Sequence, residues 1–185
     1  MRIPRRIMVS VAAATLLSAA CSQGGDQEPA VESGAALSDS AQNIARNLGR
    51  FDTLDFEVFS HQKWDRLKES HATDIIVTWP DGHETTGIEK HIEDLKAMFV
   101  YAPDTKITEH PIRIGNGSWT AVTGRMTGTF SRAMPTPDGK SIPPTGKKFD
   151  LPMATIGHWN DAGVMDHEWL FWDNLAFMQQ IGLAK

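Results

Sequence analysis

Beyond Pro103 apolar and polar residues alternate along the chain, whereas before it the apolar residues recur at helical intervals. This change of period constrains the fold more than any other feature, because a period of two suits a half-buried strand and a period near 3.6 suits an amphipathic helix. From Ser38 to Ser70, Ile44, Leu48, Phe51, Leu54, Val58, Phe59, Trp64 and Leu67 predict two or three short helices, broken near Gly49 and around Ser60-His61. Asp74 to Trp79 reads as a strand, and Pro80-Asp81-Gly82-His83 as a turn. Thr86 and Glu89 have capping-box spacing, so a helix should open there with Ile88, Ile92, Leu95, Met98 and Phe99 as its apolar stripe. After Pro103 come long antiparallel strands: Thr105 to Ile114, a turn at Asn116-Gly117, and Trp119 to Arg132. A Pro/Gly-rich loop spans Pro135 to Gly146, a last hairpin runs from Phe149 to Trp172, and a short helix closes at Gly182. Helices first and strands afterwards predict an α+β domain with N-terminal helices packed on a curved antiparallel sheet. Such a sheet makes a cone whose interior a small domain does not wholly fill, so a buried pocket is expected.

The last hairpin carries the candidate site. With Asn160 to Gly163 as its turn, Trp159 is expected opposite Met165, Gly157 opposite His167, Thr155 opposite Trp169, Met153 opposite Phe171 and Leu151 opposite Asp173. These residues share a face that is apolar except for His167 and Asp173. Trp159, Trp169, Phe171, Met153 and, from the earlier strand, Trp79 are therefore expected to line the pocket, with Glu168 and Trp172 turned the other way. Asp173 has two readings. It is either the N-cap of the terminal helix or a carboxylate at the rim of an apolar cavity, where desolvation raises its pKa toward values useful for proton abstraction. His167 is either a satisfied structural imidazole or its acid/base partner.

The beginning of the chain bears on location. Arg2, Arg5 and Arg6 precede an apolar stretch, Ile7 to Ala20, that would span only about 21 Å as a helix against roughly 30 Å of hydrocarbon. Residues 1–20 therefore read as a cleaved export signal. Leu17-Ser18-Ala19-Ala20-Cys21 resembles a bacterial lipobox, which makes Cys21 the lipidation site, residues 21–36 a flexible tether and 37–185 the folded domain. Ordinary signal cleavage leaving a free thiol is the alternative. The membrane is then met only through the lipid anchor. The expected location is periplasm-facing, and Ser22 after the cysteine favours the outer membrane of a Gram-negative cell.

The net charge of −5 becomes more negative once the three leader arginines are removed, and no basic stripe interleaves with aromatics, so nucleic acid is not an expected partner. Cys21 is the only cysteine, which excludes an intramolecular disulfide or a multi-thiolate metal site. The seven histidines are scattered with no tight pair, so no metal site is expected. No phosphate loop, nucleophile elbow, zinc-helix or calcium-loop motif is present.

Gly87-Ile88, Pro143-Pro144-Thr145-Gly146, and Asp166-His167-Glu168-Trp169-Leu170-Phe171-Trp172-Asp173-Asn174-Leu175 followed by Gln179-Gln180-Ile181-Gly182 resemble the SnoaL-like polyketide cyclase (ester cyclase) family of the NTF2-like superfamily, over Ser38 to Leu183. The resemblance implies a cone-shaped α+β barrel, no metal or organic cofactor, and a homodimer. It also implies an aspartate before the terminal helix, Asp173 here, as general acid/base for an aldol-type ring closure. The family's partner histidine falls near residues 157 to 159, where His158 stands, but alternation turns His158 away from Asp173. Two functions follow. One is a cofactor-independent cyclase or isomerase acting on a small hydrophobic, carbonyl-containing molecule. The alternative is a non-catalytic envelope lipoprotein that holds such a molecule. Polyketide tailoring is normally intracellular, and an exported member sits uneasily with literal cyclase activity.

Overall fold

The computed structural model describes residues 30–185, with side chains from residue 39 onward; the expected export signal and Cys21 lie outside the described residues. Helix α1 runs Ala30–Thr53, starting ahead of Leu37, so part of the expected tether is helical. It passes through Gly49 without the expected break and continues into a π-helical turn, Leu54–Phe59. A 3-10 turn follows at Trp64–Glu69. The extra residue per π turn spreads the helix face, and Leu54, Asp55, Val58 and Phe59 are all buried there.

The strands are β1 (His71–Thr78), β2 (Glu84–Thr86), β3 (Lys106–Ile107), β4 (Arg113–Asn116), β5 (Trp119–Thr129), β6 (Met134–Pro135), β7 (Ser141–Ile142), β8 (Lys148–Trp159) and β9 (Met165–Trp172). Helix α2 spans Ile88–Tyr101 and α3 spans Asn174–Gln180. Seven strands form one curved sheet in the order β2-β1-β9-β8-β5-β3, with β4 beside β5. β6 and β7 make a separate small ribbon inside the Pro/Gly-rich loop. The sheet is open. Most pairings are antiparallel as expected, but β1 pairs with β9 in parallel.

Two further expectations need correction. The capping box at Thr86 does not form: Thr86 ends β2, Gly87 is the N-cap with φ of 97°, and no side chain caps α2. The last hairpin is also shifted by one residue over most of its length. His158 faces His167, Gly157 faces Glu168, Ile156 faces Trp169 and Met153 faces Trp172; only Trp159 opposite Met165 keeps the expected pairing, beyond a bulge. A bulge adds one residue to one strand, so every side chain past it changes face. Glu168, Leu170 and Trp172 therefore point inward, while His167, Trp169 and Phe171 point outward.

The inner sheet face packs against α1, the π turn and α2 in two adjoining clusters. One gathers Phe51, Leu54, Leu67, Ile75, Trp159 and Met165. The other gathers Phe59, Phe99, Ile107, Met126, Phe149 and Ile181. Gly157 is needed where α1 approaches β8, because a Cβ there would stand 2.4 Å from Met165 Sδ and 3.0 Å from the Phe51 ring. α3 docks through Gln180, whose Oε1 accepts from the Asp150 backbone N–H at 2.7 Å. No described helix is long and apolar enough to cross a membrane.

Candidate functional site

A cavity of about 50 Å³ lies where the two clusters meet. Leu54, Phe59, Leu95, Ile107 and Leu170 supply apolar walls, and Met98, Met126 and Met153 complete them. Unbranched thioether chains repack readily, so a wall with three of them adapts to what it holds. Trp79 and Trp172 close one side, and their rings meet edge to face at 6.4 Å. Asp55, His71, His91, Asp94 and Glu168 are the ionisable groups of this lining.

Asp55 arrives from the π turn. Its Oδ2 lies 2.8 Å from His110 Nε2, and His110 Nδ1 lies 2.8 Å from Asp52 Oδ1. Asp52 Oδ2 in turn meets Arg113 Nη2 at 2.8 Å. The His110 ring is 1% exposed at its side chain, lying between Phe51 and Phe56. Burial raises the Asp55 pKa above the ordinary carboxylate range, against the opposing pull of His110. Burial pulls His110 down, but its hydrogen bonds and charge contacts with Asp55 and Asp52 outweigh this, and the net direction is up. The pair therefore holds a proton in common more tightly than either group would alone. A chain of hydrogen bonds links the cavity to a half-exposed guanidinium on the surface.

On the other wall stand His71 from β1, His91 from α2 and Glu168 from β9, each at most 4% exposed. His71 Nδ1 is 3.2 Å from the Leu67 carbonyl, which can only accept, so Nδ1 is the donor there and, in the neutral tautomer this contact selects, Nε2 is the acceptor. Burial lowers His91 to about 4, so its imidazole is neutral at neutral pH. The scatter of histidines along the sequence concealed this group: the His71 and His91 rings lie 5.2 Å apart.

The structure separates the residues expected to act together. Met153 and Trp79 line the cavity, and Trp159 is buried nearby in the core, with its indole N–H donating to Thr120 Oγ1 at 2.7 Å. Trp169 and Phe171 lie on the outer face, against the expectation that they line the pocket. Trp169 stacks between Trp119 and His167 there, with ring centroids at 5.4 and 3.6 Å. His158 Nδ1 contacts Asp166 Oδ1 at 2.6 Å, and His167 Nε2 contacts Thr78 Oγ1 at 3.0 Å, both on this outer face. Asp173 is exposed and N-caps α3, its Oδ1 accepting from the Ala176 N–H at 2.9 Å.

Asp55, His110, His71 and His91 were not singled out in the sequence, and Glu168 was expected on the solvent side. A usable sign was present for two of them. His91 falls three residues after Ile88, within the apolar stripe of α2, and Asp55 interrupts the apolar run Leu54 to Phe59.

Residues 52–181 match the sequence profile of the SnoaL-like polyketide cyclases. A SnoaL-like protein from Jannaschia sp. CCS1 superposes with a TM-score of 0.64 at 22% identity, covering 88% of this chain and 100% of that one. A SnoaL-like polyketide cyclase from Agrobacterium tumefaciens strain C58 gives 0.57 at 17% identity, over 73% and 98%. TsrD from Streptomyces laurentii gives 0.58 at 16% identity, over 78% and 96%. The comparison with curated proteins gave no match. With the profile spanning most of the folded part and the curved sheet and its helices shared with these structures, the chain belongs to the SnoaL-like polyketide cyclase family, of NTF2-like fold.

Proposed function

We propose that the protein binds a small, largely apolar carbonyl compound in the inner cavity and moves a proton on it, in a cyclase- or isomerase-type reaction, with Asp55 as the acid/base group. The observation that carries this reading is the placement of Asp55. It is the carboxyl that both lines the apolar cavity and stands at the end of a hydrogen-bonded line to the surface. A group that removes a proton α to a carbonyl must be basic enough to take it and able to return it elsewhere. Burial supplies the first property, and His110 backed by Asp52 supplies the second.

Asp173 fits the same role less well, because it is exposed and its carboxylate is already engaged on the Ala176 amide. The test is deuterium exchange into a panel of β-diketone and β-keto ester probes in D2O. Asp55→Asn is expected to slow exchange by about 10²-fold or more. Asp173→Asn, which keeps a capping oxygen, is expected to leave exchange unchanged, while Asp173→Ala lowers stability by about 1 kcal/mol. Loss of exchange in Asp173→Asn, with Asp55→Asn active, would return the role to Asp173.

The protein is further proposed to act outside the cytoplasm, held by lipid on Cys21; the leader and lipobox-like residues support this. Palmitate labelling in cells should mark the wild type and not Cys21→Ala. Equal labelling of the two would remove the anchor from the reading.

A further inference from the structure

Across the cavity from Asp55, three metal-ligand side chains converge without satisfying one another. His71 Nε2 lies 3.6 Å and His91 Nε2 lies 3.4 Å from the same oxygen, Glu168 Oε2. Neither separation is a good hydrogen bond. Among the described residues, His71 Nε2, His91 Nδ1 and Glu168 Oε2 are buried with no hydrogen-bond partner. Unpaired buried polar atoms are costly, and native structures rarely leave them side by side without a shared partner.

The spacing fits one. Four ligands bound tetrahedrally at about 2.1 Å stand about 3.4 Å from each other, the edge of the tetrahedron expected for zinc with nitrogen and oxygen donors. The three donor atoms all lie within 4.8 Å of one another. His71 is also oriented as a metal-bound histidine usually is. Its Nδ1–H is given to the Leu67 carbonyl, and Ser70 Oγ lies 2.9 Å from the same nitrogen, which together fix the ring with Nε2 toward Glu168. The donors come from three different elements, β1, α2 and β9, so the packed fold brings them together. All three line the cavity, which leaves the fourth position facing the space where a small molecule would sit.

We propose that His71, His91 and Glu168 form a binding site for a divalent transition-metal ion of the zinc type, with one coordination position open to the cavity. Two imidazoles and one carboxylate form a borderline donor set that selects such ions over calcium or magnesium, which require more oxygen ligands. A cation there would present a Lewis acid to a carbonyl oxygen bound opposite Asp55. The site does not depend on the proton-transfer reading, because metal uptake is measured without turnover.

The test uses the full chain, stripped with a chelator and titrated with Zn2+ and, separately, Co2+. One equivalent is expected to bind saturably, to raise the thermal midpoint, and to give the visible bands of four-coordinate Co2+. Glu168→Gln and His91→Asn should each weaken binding at least tenfold. His83→Ala, which removes an exposed imidazole beside Asp81, should leave it unchanged. Far-UV circular dichroism decides which variants are folded, and either folded one suffices. No saturable uptake, or uptake equal to wild type in a folded variant, would overturn the site, whatever the outcome of the exchange assay.

Discussion

Replacing Phe51 by alanine is expected to remove about 3–5 kcal/mol of stability, a large share of the roughly 5–15 kcal/mol that holds a domain of this kind folded. Phe51 is fully buried and meets Trp159 edge to face at 5.9 Å. Its ring also covers His110. The neighbouring strand offers Gly157, which has no side chain to move into the space vacated, so the cavity left behind stays open. Leucine at the same place keeps most of the volume and should cost about 1–2 kcal/mol. Urea unfolding followed by tryptophan fluorescence measures both, and a loss below about 1 kcal/mol for the alanine variant would mean that α1 is not anchored here.

The second large effect concerns His110 and depends on what stands next to it. His110→Ala should destabilise the wild type by about 3 kcal/mol or more, because it strips the buried Asp55 of its partner. In the Asp55→Asn background the same change should cost clearly less, since no carboxyl is then left without its imidazole. The double-mutant cycle should therefore show coupling of about 1–3 kcal/mol. Proton transfer should behave the same way: His110→Ala added to Asp55→Asn should slow exchange little further, because groups acting as one unit are not lost twice. Additive effects on both stability and exchange would show that the Arg113–Asp52–His110–Asp55 line is three separate contacts.

Much of the fold was legible because it follows from periodicity. The alternation along Trp119–Thr129 and Lys148–Trp159 places Val122, Met126, Leu151 and Trp159 inside, and all four are buried. Terminal helix α3, with Asp173 at its entry and Gly182 beyond it, was equally open to local reasoning. The site was less so, for two physical reasons. One bulge near Trp159 exchanges the faces of Glu168 and His167, and nothing in residue type announces a bulge between two strands that alternate cleanly on either side of it. The other reason is distance along the chain: His71, His91 and Glu168 are brought together by strand order, and a parallel pairing of β1 with β9 is invisible to any local pattern. Gly49, a helix breaker by propensity, is overridden because α1 is held by packing on the sheet.

That parallel pairing has a consequence for how the protein can fail. β1 has only the three-residue β2 as a nearby partner, and its long neighbour joins it from His71 opposite Met165 onward, across most of the folded chain. Any partly unfolded state in which β1 has left β9 separates His71 from Glu168 and opens the cavity wall, even if β5, β8 and β9 remain zipped together. The donor cluster is thus a readout of completed folding: a fragment, a truncation or a chain caught midway can keep most of its sheet and possess none of the site.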